Sequence, residues 1–193
     1  MSVALAAPHA SSVDRLRSAE APLALQVAII TGTALLTGLL AQFEFRLYLW
    51  EVPLTLQTLA VYGSGLVLGR RNAALAMGLY LVLGLALPFY AGGGSGLGHL
   101  LGASGGYLLA FPLVAFVAGA ITRENRGAGR TLLALAAASV VLFASGVVGL
   151  HVFAGHESWS ASVMNGWVRF IPWDLAKIGV VAATYLAARR ATA

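Results

Sequence analysis

Apolar residues form six long runs along the chain, separated by short polar or glycine-rich connections. A helix that crosses the hydrocarbon core of a bilayer needs about 20 predominantly apolar residues, and fewer where it is short or shielded. The pattern therefore predicts an all-α fold, a polytopic membrane protein with six transmembrane helices. The predicted segments are residues 22–42, 54–69, 73–89, 105–122, 131–154 and 171–188.

Proline positions agree with the predicted helix boundaries. Pro22, Pro53 and Pro172 fall in the first turns of the first, second and sixth segments, where the N–H that proline lacks has no helical partner. Pro112 falls inside the fourth segment, where a proline is expected to kink the helix.

Composition supports a membrane location and excludes some chemistry. Charged residues make up 10% of the chain and the mean hydropathy is +0.84, whereas soluble domains carry about 25% charged residues. We expect residues 22–190 to form a single membrane domain. Residues 1–21 lack the basic-then-apolar order of a signal peptide and are expected to be a short cytoplasmic tail. Because the chain has no cysteine, disulfides, thiolate catalysis and sulfur-ligated metals are excluded.

The positions of the arginines predict the orientation in the membrane. Nine of the 12 basic residues precede the first segment, follow the sixth, or lie in the connections between segments two and three and between four and five. The positive-inside rule makes this side, and both termini, cytoplasmic. The net charge of +5 is then a topology signal and does not indicate nucleic-acid binding. The nine residues are Arg15, Arg17, Arg70, Arg71, Arg123, Arg126, Arg130, Arg189 and Arg190.

The connections on the opposite side are longer and rich in tryptophan, tyrosine and glycine. They comprise residues 43–53, 90–104 and 155–170. Long loops in compact proteins are commonly functional, so these predict a lid over an outward-facing site. The alternative is a set of interfacial loops whose aromatic residues lie at the membrane surface.

Two ionisable residues fall inside a predicted span, Asp174 and Lys177. Such residues are costly in a membrane and are functional candidates for that reason. A carboxylate in a first helical turn is favoured by the helix dipole, whereas a cation there is opposed by it. Spacing of i, i+3 places both on one face of the helix. Either they form an internal ion pair, or a polar ligand bridges them.

A polar cluster opens the second segment, with Thr55, Gln57 and Thr58 close together. The glutamine side chain offers two donors and an acceptor, which suits an amide- or urea-like ligand. Hydrogen bonds between helices, which are common for Thr and Gln in membranes, explain the same cluster equally well.

Small residues recur at steps of four in the first segment. Ala24, Ala28 and Gly32 form one row, and Ala34 and Gly38 lie on a second. Such rows allow helices to approach closely in lipid. They serve either internal packing or the docking of another membrane protein.

Ser104 lies between glycines in Gly-Ala-Ser-Gly, which raises the alternative of a rhomboid-like intramembrane serine protease. A serine nucleophile needs a base within reach. The candidates are His99, His151 and His156. Rhomboids resemble this chain in helix number and in the Gly-x-Ser-Gly motif, but they take their histidine from the sixth helix, which here has none. The sequence therefore disfavours the protease.

Six motifs, in order over residues 25–188, resemble those of the BioY family, the biotin-specific S-components of energy-coupling-factor (ECF) transporters. The first matches the family's Val-Pro-x-Thr-x-Gln-Thr, the fifth its Leu-Gly-Pro-Thr-Gly-Gly-Tyr, and the sixth its Phe-x-Pro-x-Asp-x-x-Lys. The motifs are Val-Pro-Leu-Thr-Leu-Gln-Thr-Leu (52–59), Gly-Leu-Val-Leu-Gly-Arg-Arg (65–71), Tyr-Leu-Val-Leu-Gly (80–84), Pro-Phe-Tyr-Ala-Gly-Gly (88–93), Leu-Gly-Ala-Ser-Gly-Gly-Tyr (101–107) and Phe-Ile-Pro-Trp-Asp-Leu-Ala-Lys (170–177).

This resemblance implies a vitamin-uptake component of a bacterial or archaeal cell membrane that is not an enzyme. It implies an outward-facing biotin site and docking onto a transmembrane coupling subunit driven by two ATPase subunits. The chain contains no Gly-x-x-x-x-Gly-Lys-Ser/Thr loop for nucleotides, so ATP is expected to act only through those partners, with no cofactor on the chain itself. If the partners are absent or shared with other proteins, an ion gradient is the other source of energy for uphill transport. An S-component for another small vitamin is the nearest alternative.

The resemblance also implies the ligand-binding residues. We expect Asp174 and Gln57 to meet the ureido group of biotin and Lys177 to favour its carboxylate, or these roles to be exchanged. The sequence departs from the family where Ala103 and Ser104 replace Pro-Thr, where Trp173 replaces a common glycine, and where Arg169 is added. The full predicted set is Asp174, Lys177, Gln57, Tyr107, Tyr90, Ser104, Thr55 and Gly106.

Overall fold

The computed structural model describes residues 17, 21–46 and 50–191. These residues are mostly helical, with two short 3₁₀ turns at Ala91–Gly93 and Val168–Phe170. Apart from residues 17 and 21, the predicted N-terminal tail lies outside the described residues. The elements are α1 (Leu23–Ala41), β1 (Glu44–Phe45), β2 (Leu54–Thr55), α2 (Gln57–Ala86), α3 (Gly96–Leu100), α4 (Gly105–Ile121), α5 (Ala128–Phe153), α6 (Trp159–Gly166) and α7 (Ile171–Ala191).

Several helical stretches have the length and hydropathy of membrane spans. Within the described residues, four stretches of at least 18 residues qualify, and α4 is a shorter apolar helix. The prediction of a mostly helical fold with several candidate membrane spans is confirmed at this level. The four stretches are Leu23–Ala41, Gln57–Gly93, Ala128–Phe153 and Trp159–Ala191.

Gly69 divides α2 into two parts that lie side by side. Its φ of 72° and ψ of 172° are not helical and belong to a region open almost only to glycine. Gln57 donates a hydrogen bond to the hydroxyl of Tyr80, 23 residues later, although a straight helix would separate them by about 35 Å. The predicted break between the second and third segments is therefore present, and Arg70 and Arg71 belong to the helix that follows it.

The predicted start of the second segment at residue 54 is wrong. Leu54–Thr55 is a strand, paired antiparallel with Glu44–Phe45, and the helix begins at Gln57. Pro53 lacks a backbone N–H and pushes the residue before it towards an extended conformation. It therefore precedes a strand instead of opening a helix, and this strand pair is an exception to the all-α prediction.

The predicted outer loops also contain short elements. The connection after α2 holds a 3₁₀ turn and α3, and the connection after α5 holds α6 and a second 3₁₀ turn.

In the centre of the fold, α4 packs against both α2 and α5. This helix continues through Pro112, so the expected kink does not interrupt it.

The arginines at the predicted cytoplasmic positions gather at one end of the fold. Arg17 donates to the carbonyl oxygens of Gly119 at 2.9 Å and of Thr122 at 3.1 Å. Arg189 donates to the carbonyl oxygen of Arg126 at 2.9 Å. The carbonyls of Gly119 and Thr122 lie at the end of α4, where they have no helical donors, and that of Arg126 lies in the connection before α5.

Replacing Gly69 by alanine should destabilise the protein, because alanine tolerates this backbone conformation poorly and its Cβ would lie 3.2 Å from Nε of Arg17. We expect the free energy of unfolding to fall by about 1–3 kcal/mol, measured by titration with sodium dodecyl sulfate in mixed micelles. Gly78→Ala is the matched control, since its Cβ would meet no atom within 4 Å and helical alanine is favoured over glycine. Equal stability of Gly69→Ala and wild type would contradict the assigned turn.

Candidate ligand-binding site

A cavity opens between β2, α2, α4, α5 and α7, with about 600 Å³ of empty space, part of it open to solvent. Apolar and aromatic side chains dominate its wall. Of the predicted ligand-binding residues, it brings together Asp174, Lys177, Gln57, Thr55, Ser104 and Tyr107. The remaining lining residues are Val52, Pro53, Leu54, Thr58, Ala91, His99, Leu108, Phe111, Leu142, Phe143, Phe170 and Trp173.

Asp174 lies in the first turn of α7 and is buried, with 6% of its surface exposed. Its Oδ1 accepts a hydrogen bond from the hydroxyl of Tyr62 at 2.9 Å, and its Oδ2 accepts one from Ser139. A buried carboxylate requires such donors, because desolvation is otherwise costly. These two bonds fix the carboxylate and still leave acceptor capacity on both oxygens.

Lys177 follows Asp174 by one turn and reaches the same cavity. Its Nζ donates to the carbonyl oxygen of Thr55 at 2.8 Å. Within the described residues Arg46 forms an ion pair with Glu44, but no ion pair joins Asp174 to Lys177, so the internal ion pair considered above is not formed. Two of the three ammonium donors of the lysine are left for another acceptor.

The amide of Gln57 is held in one orientation by its neighbours. Its Oε1 accepts from Thr55 Oγ1 at 2.8 Å, and its Nε2 donates to the hydroxyl of Tyr80. Tyr80 in turn donates to the carbonyl oxygen of Phe89 at 3.2 Å. The second amide hydrogen and the second lone pair of the oxygen remain for a ligand.

An aromatic wall faces the polar residues. The hydroxyl of Tyr107 donates to the carbonyl oxygen of Gly166, and its ring centroid lies 6.0 Å from that of Phe143 and 6.2 Å from that of Phe170. Trp50 packs behind Phe170, with centroids 5.0 Å apart. Such a wall suits the apolar part of a small ligand.

Tyr90 and Gly106 do not line the cavity but support its walls. Tyr90 is fully buried and donates to the carbonyl oxygen of Leu81 at 2.7 Å, and its ring stacks on His99. A Cβ on Gly106 would lie 2.7 Å from Cα of Gly149, so this glycine permits the close contact of α4 with α5.

Three residues that shape the cavity were not predicted from the sequence. Tyr62 and Ser139 hold Asp174 from two other helices. His99, considered only as a catalytic base, lines the cavity, and within the described residues its buried Nε2 has no hydrogen-bond partner. Burial and then the charge of Arg46 lower the pKa of His99, which favours the neutral imidazole. Of these three residues, only Ser139 could have been recognised from the sequence, because it is an isolated hydroxyl in the apolar run 134–144.

Ser104 lines the cavity but, in the part of the chain that the structure describes, its side chain has no hydrogen bond to a histidine. The serine–histidine hydrogen bond of that part joins Ser162 to His151 at 3.4 Å. The arrangement that a serine protease requires is therefore not formed at Ser104.

Comparison with known proteins agrees with this architecture. The model of the BioY family matches residues 11–193. A protein of Pyrococcus horikoshii named probable biotin transporter BioY is 35% identical over 155 residues, which cover 80% of this chain and 90% of that protein. A protein of Rhizobium etli named biotin transporter BioY is 34% identical over 169 residues, covering 82% and 86%.

A solved structure has the same fold. It is the crystal structure at 2.1 Å of the S-component for biotin from an ECF-type ABC transporter, with a TM-score of 0.76 and 23% identity. The match covers 86% of this chain and 90% of that one. The family match over nearly the whole chain, together with relatives above 30% identity, shows that this chain belongs to the BioY family.

Proposed function

We propose that this chain is the biotin-binding S-component of an ECF-type vitamin transporter and not an enzyme. The observation that carries the proposal is the cavity in which Asp174, Lys177 and Gln57 keep unused hydrogen-bonding capacity. Relatives named biotin transporters support the choice of ligand. An S-component for another small vitamin is the alternative, and the binding measurements below distinguish it.

The chemistry of biotin matches that of the cavity. Its ureido group has two N–H donors and a carbonyl acceptor, its fused ring is largely apolar, and its aliphatic tail ends in a carboxylate. The cavity offers a carboxylate, an amide and an ammonium opposite an aromatic wall.

Each polar residue then has a defined role. The carboxylate of Asp174 accepts the ureido N–H groups, and the amide of Gln57 pairs with the ureido edge. Lys177 binds the carboxylate of the tail through its two remaining donors. With biotin reversed in the cavity, Lys177 takes the ureido carbonyl and the other two residues face the tail.

The membrane arrangement follows from the same features. Six helical spans cross the bacterial or archaeal cell membrane, with both termini and the arginine-rich end cytoplasmic. The two parts of α2, which meet at Gly69, count as two of these spans. The cavity then opens outward beneath the connections that contain Trp50 and α6.

Uphill transport needs an energy source, which we assign to partner subunits. Ala24, Ala28 and Gly32 on α1 are exposed, whereas Ala34 and Gly38 are buried inside the fold. The exposed row allows close approach of another helix in lipid, and we assign it to the transmembrane coupling subunit. Two ATPase subunits bound to that subunit supply the energy of ATP hydrolysis.

Removing the charges of the cavity should abolish tight binding. Asp174→Asn and Lys177→Ala each remove a charge-assisted contact, which should weaken biotin binding by about 10- to 150-fold. Titration calorimetry with purified protein in detergent measures the effect. Ser104→Ala is the control and should largely spare binding; loss of a proteolytic activity in this variant, without biotin affinity, would overturn the proposal.

The orientation of biotin can be read from its methyl ester. Wild type should prefer biotin over the ester, because Lys177 pairs with the free carboxylate, and Lys177→Ala should lose this preference. Competition against radiolabelled biotin gives the ratio of the two affinities. If Asp174→Asn is the variant that changes this ratio and Lys177→Ala retains it, the exchanged roles apply.

Ser139 should contribute by orienting Asp174. Ser139→Ala removes one of the two hydroxyl donors to the carboxylate, so the affinity should fall about five- to tenfold. In an Asp174→Ala background the same change should have little further effect, because the acceptor of the Ser139 hydroxyl is then already lost. Ser145→Ala is the matched control on α5. Ser145 donates to the carbonyl oxygen of Gly106 and not to Asp174, so its loss should not depend on the residue at position 174. Equal losses in both backgrounds would contradict the orienting role.

A further inference from the structure

A second cavity lies at the arginine-rich end, away from the ligand cavity. It contains about 770 Å³ of empty space, including open solvent. It borders the turn at Gly69, where the two parts of α2 meet, and reaches α1 and the end of α4. Its described lining residues are Arg17, Arg70, Arg71, Arg123, Arg126, Gln26, Leu68, Gly69, Asn72 and Gly119.

Five guanidinium groups line this cavity, with no carboxylate among its described lining residues. Arg17 is bound to carbonyl oxygens of α4, and Arg70 lies over the ring of Phe116 at 5.8 Å. The guanidinium groups of Arg71 and Arg123 have no hydrogen bond or ion pair within the described part of the chain. Like charges gathered around one space repel each other, and an anion in that space relieves the repulsion.

Asn72 gives an independent indication of a ligand. It is 6% exposed and lines the cavity, and among the described residues its side-chain amide has no hydrogen-bond partner, while its polar atoms remain accessible to solvent. The amide is therefore free to donate to a ligand in the cavity. It also lies in the first turn after Gly69, where helical N–H groups have no partners and favour an anion. A phosphate oxygen would satisfy both the amide and these N–H groups.

The surroundings of the cavity favour a lipid as the source of the phosphate. Leu23, one turn before Gln26, is 76% exposed, and Leu75, one turn after Arg71, is 51% exposed. The exposed ring of Phe116 lies below Arg70. The basic groups thus adjoin apolar surface that suits acyl chains, an arrangement by which basic pockets between membrane helices bind anionic headgroups.

We propose that this cavity binds the phosphate headgroup of an anionic phospholipid. Arg71, Arg123 and Asn72 contact the phosphate oxygens, and the acyl chains lie against α1 and the second part of α2. The assignment to the cytoplasmic leaflet rests on the proposed orientation, whereas the preference for a phosphate anion does not. The site is separate from the biotin cavity, so its failure would leave the biotin titrations unchanged.

Native mass spectrometry of the purified protein tests the proposal. The protein is incorporated into nanodiscs of equal phosphatidylglycerol and phosphatidylcholine, and the lipids retained after release are counted. Wild type should retain phosphatidylglycerol preferentially, and Arg71→Gln and Arg123→Gln should each lower this preference by about fivefold. Asn72→Leu should lower it as well. Arg190→Gln, an exposed arginine outside this cavity, removes the same charge and should retain the preference.

Four results would overturn the lipid assignment. Equal retention of the two lipids would show no preference for an anionic headgroup, and an equal loss in Arg190→Gln would indicate only a diffuse surface charge. Inorganic phosphate that raises the thermal stability of delipidated protein as much as short-chain phosphatidylglycerol would assign the site to a soluble anion. A poly-glutamate peptide that displaces the lipid at a lower concentration would assign it to an acidic protein partner.

Discussion

The arrangement of the ligand cavity depends on the buried carboxylate of Asp174. It accepts hydrogen bonds from Tyr62 on α2 and Ser139 on α5, and so fixes the start of α7 against two other helices. A charge in this environment is stable only with such donors. The same bonds hold the carboxylate in place before any ligand arrives, which reduces the entropic cost of binding.

The ligand cavity lies at one end of the fold and the arginine cluster at the other, and α2 contributes residues to both. The first part of α2 begins with Gln57 at the ligand cavity and ends at Gly69 beside the arginine cluster. Between these ends its side chains are buried or half-buried in the protein and mostly apolar. Gly69 makes this possible, because its backbone conformation returns the chain beside itself and allows Tyr80 to hold Gln57.

Sequence reasoning predicted the features that arise from local pattern. The apolar runs located the long helices to within a few residues, and the isolated charges Asp174 and Lys177 pointed to the cavity that they line. Tertiary contacts were not predictable: the strand pair that delays α2 to Gln57, the hydroxyls of Tyr62 and Ser139, and the unpartnered Nε2 of His99 all depend on residues distant in sequence. Tyr90 and Gly106 were predicted from a motif to contact the ligand. A motif does not distinguish a residue that lines the cavity from one that packs behind the lining residues.

The most direct test of the central claim is equilibrium dialysis of the purified protein in detergent against radiolabelled biotin. We expect saturable binding of one biotin per chain, displaced by unlabelled biotin and lost in the double variant Asp174→Asn/Lys177→Ala. Absence of saturable binding by folded wild type, or equal binding by the double variant, would contradict it.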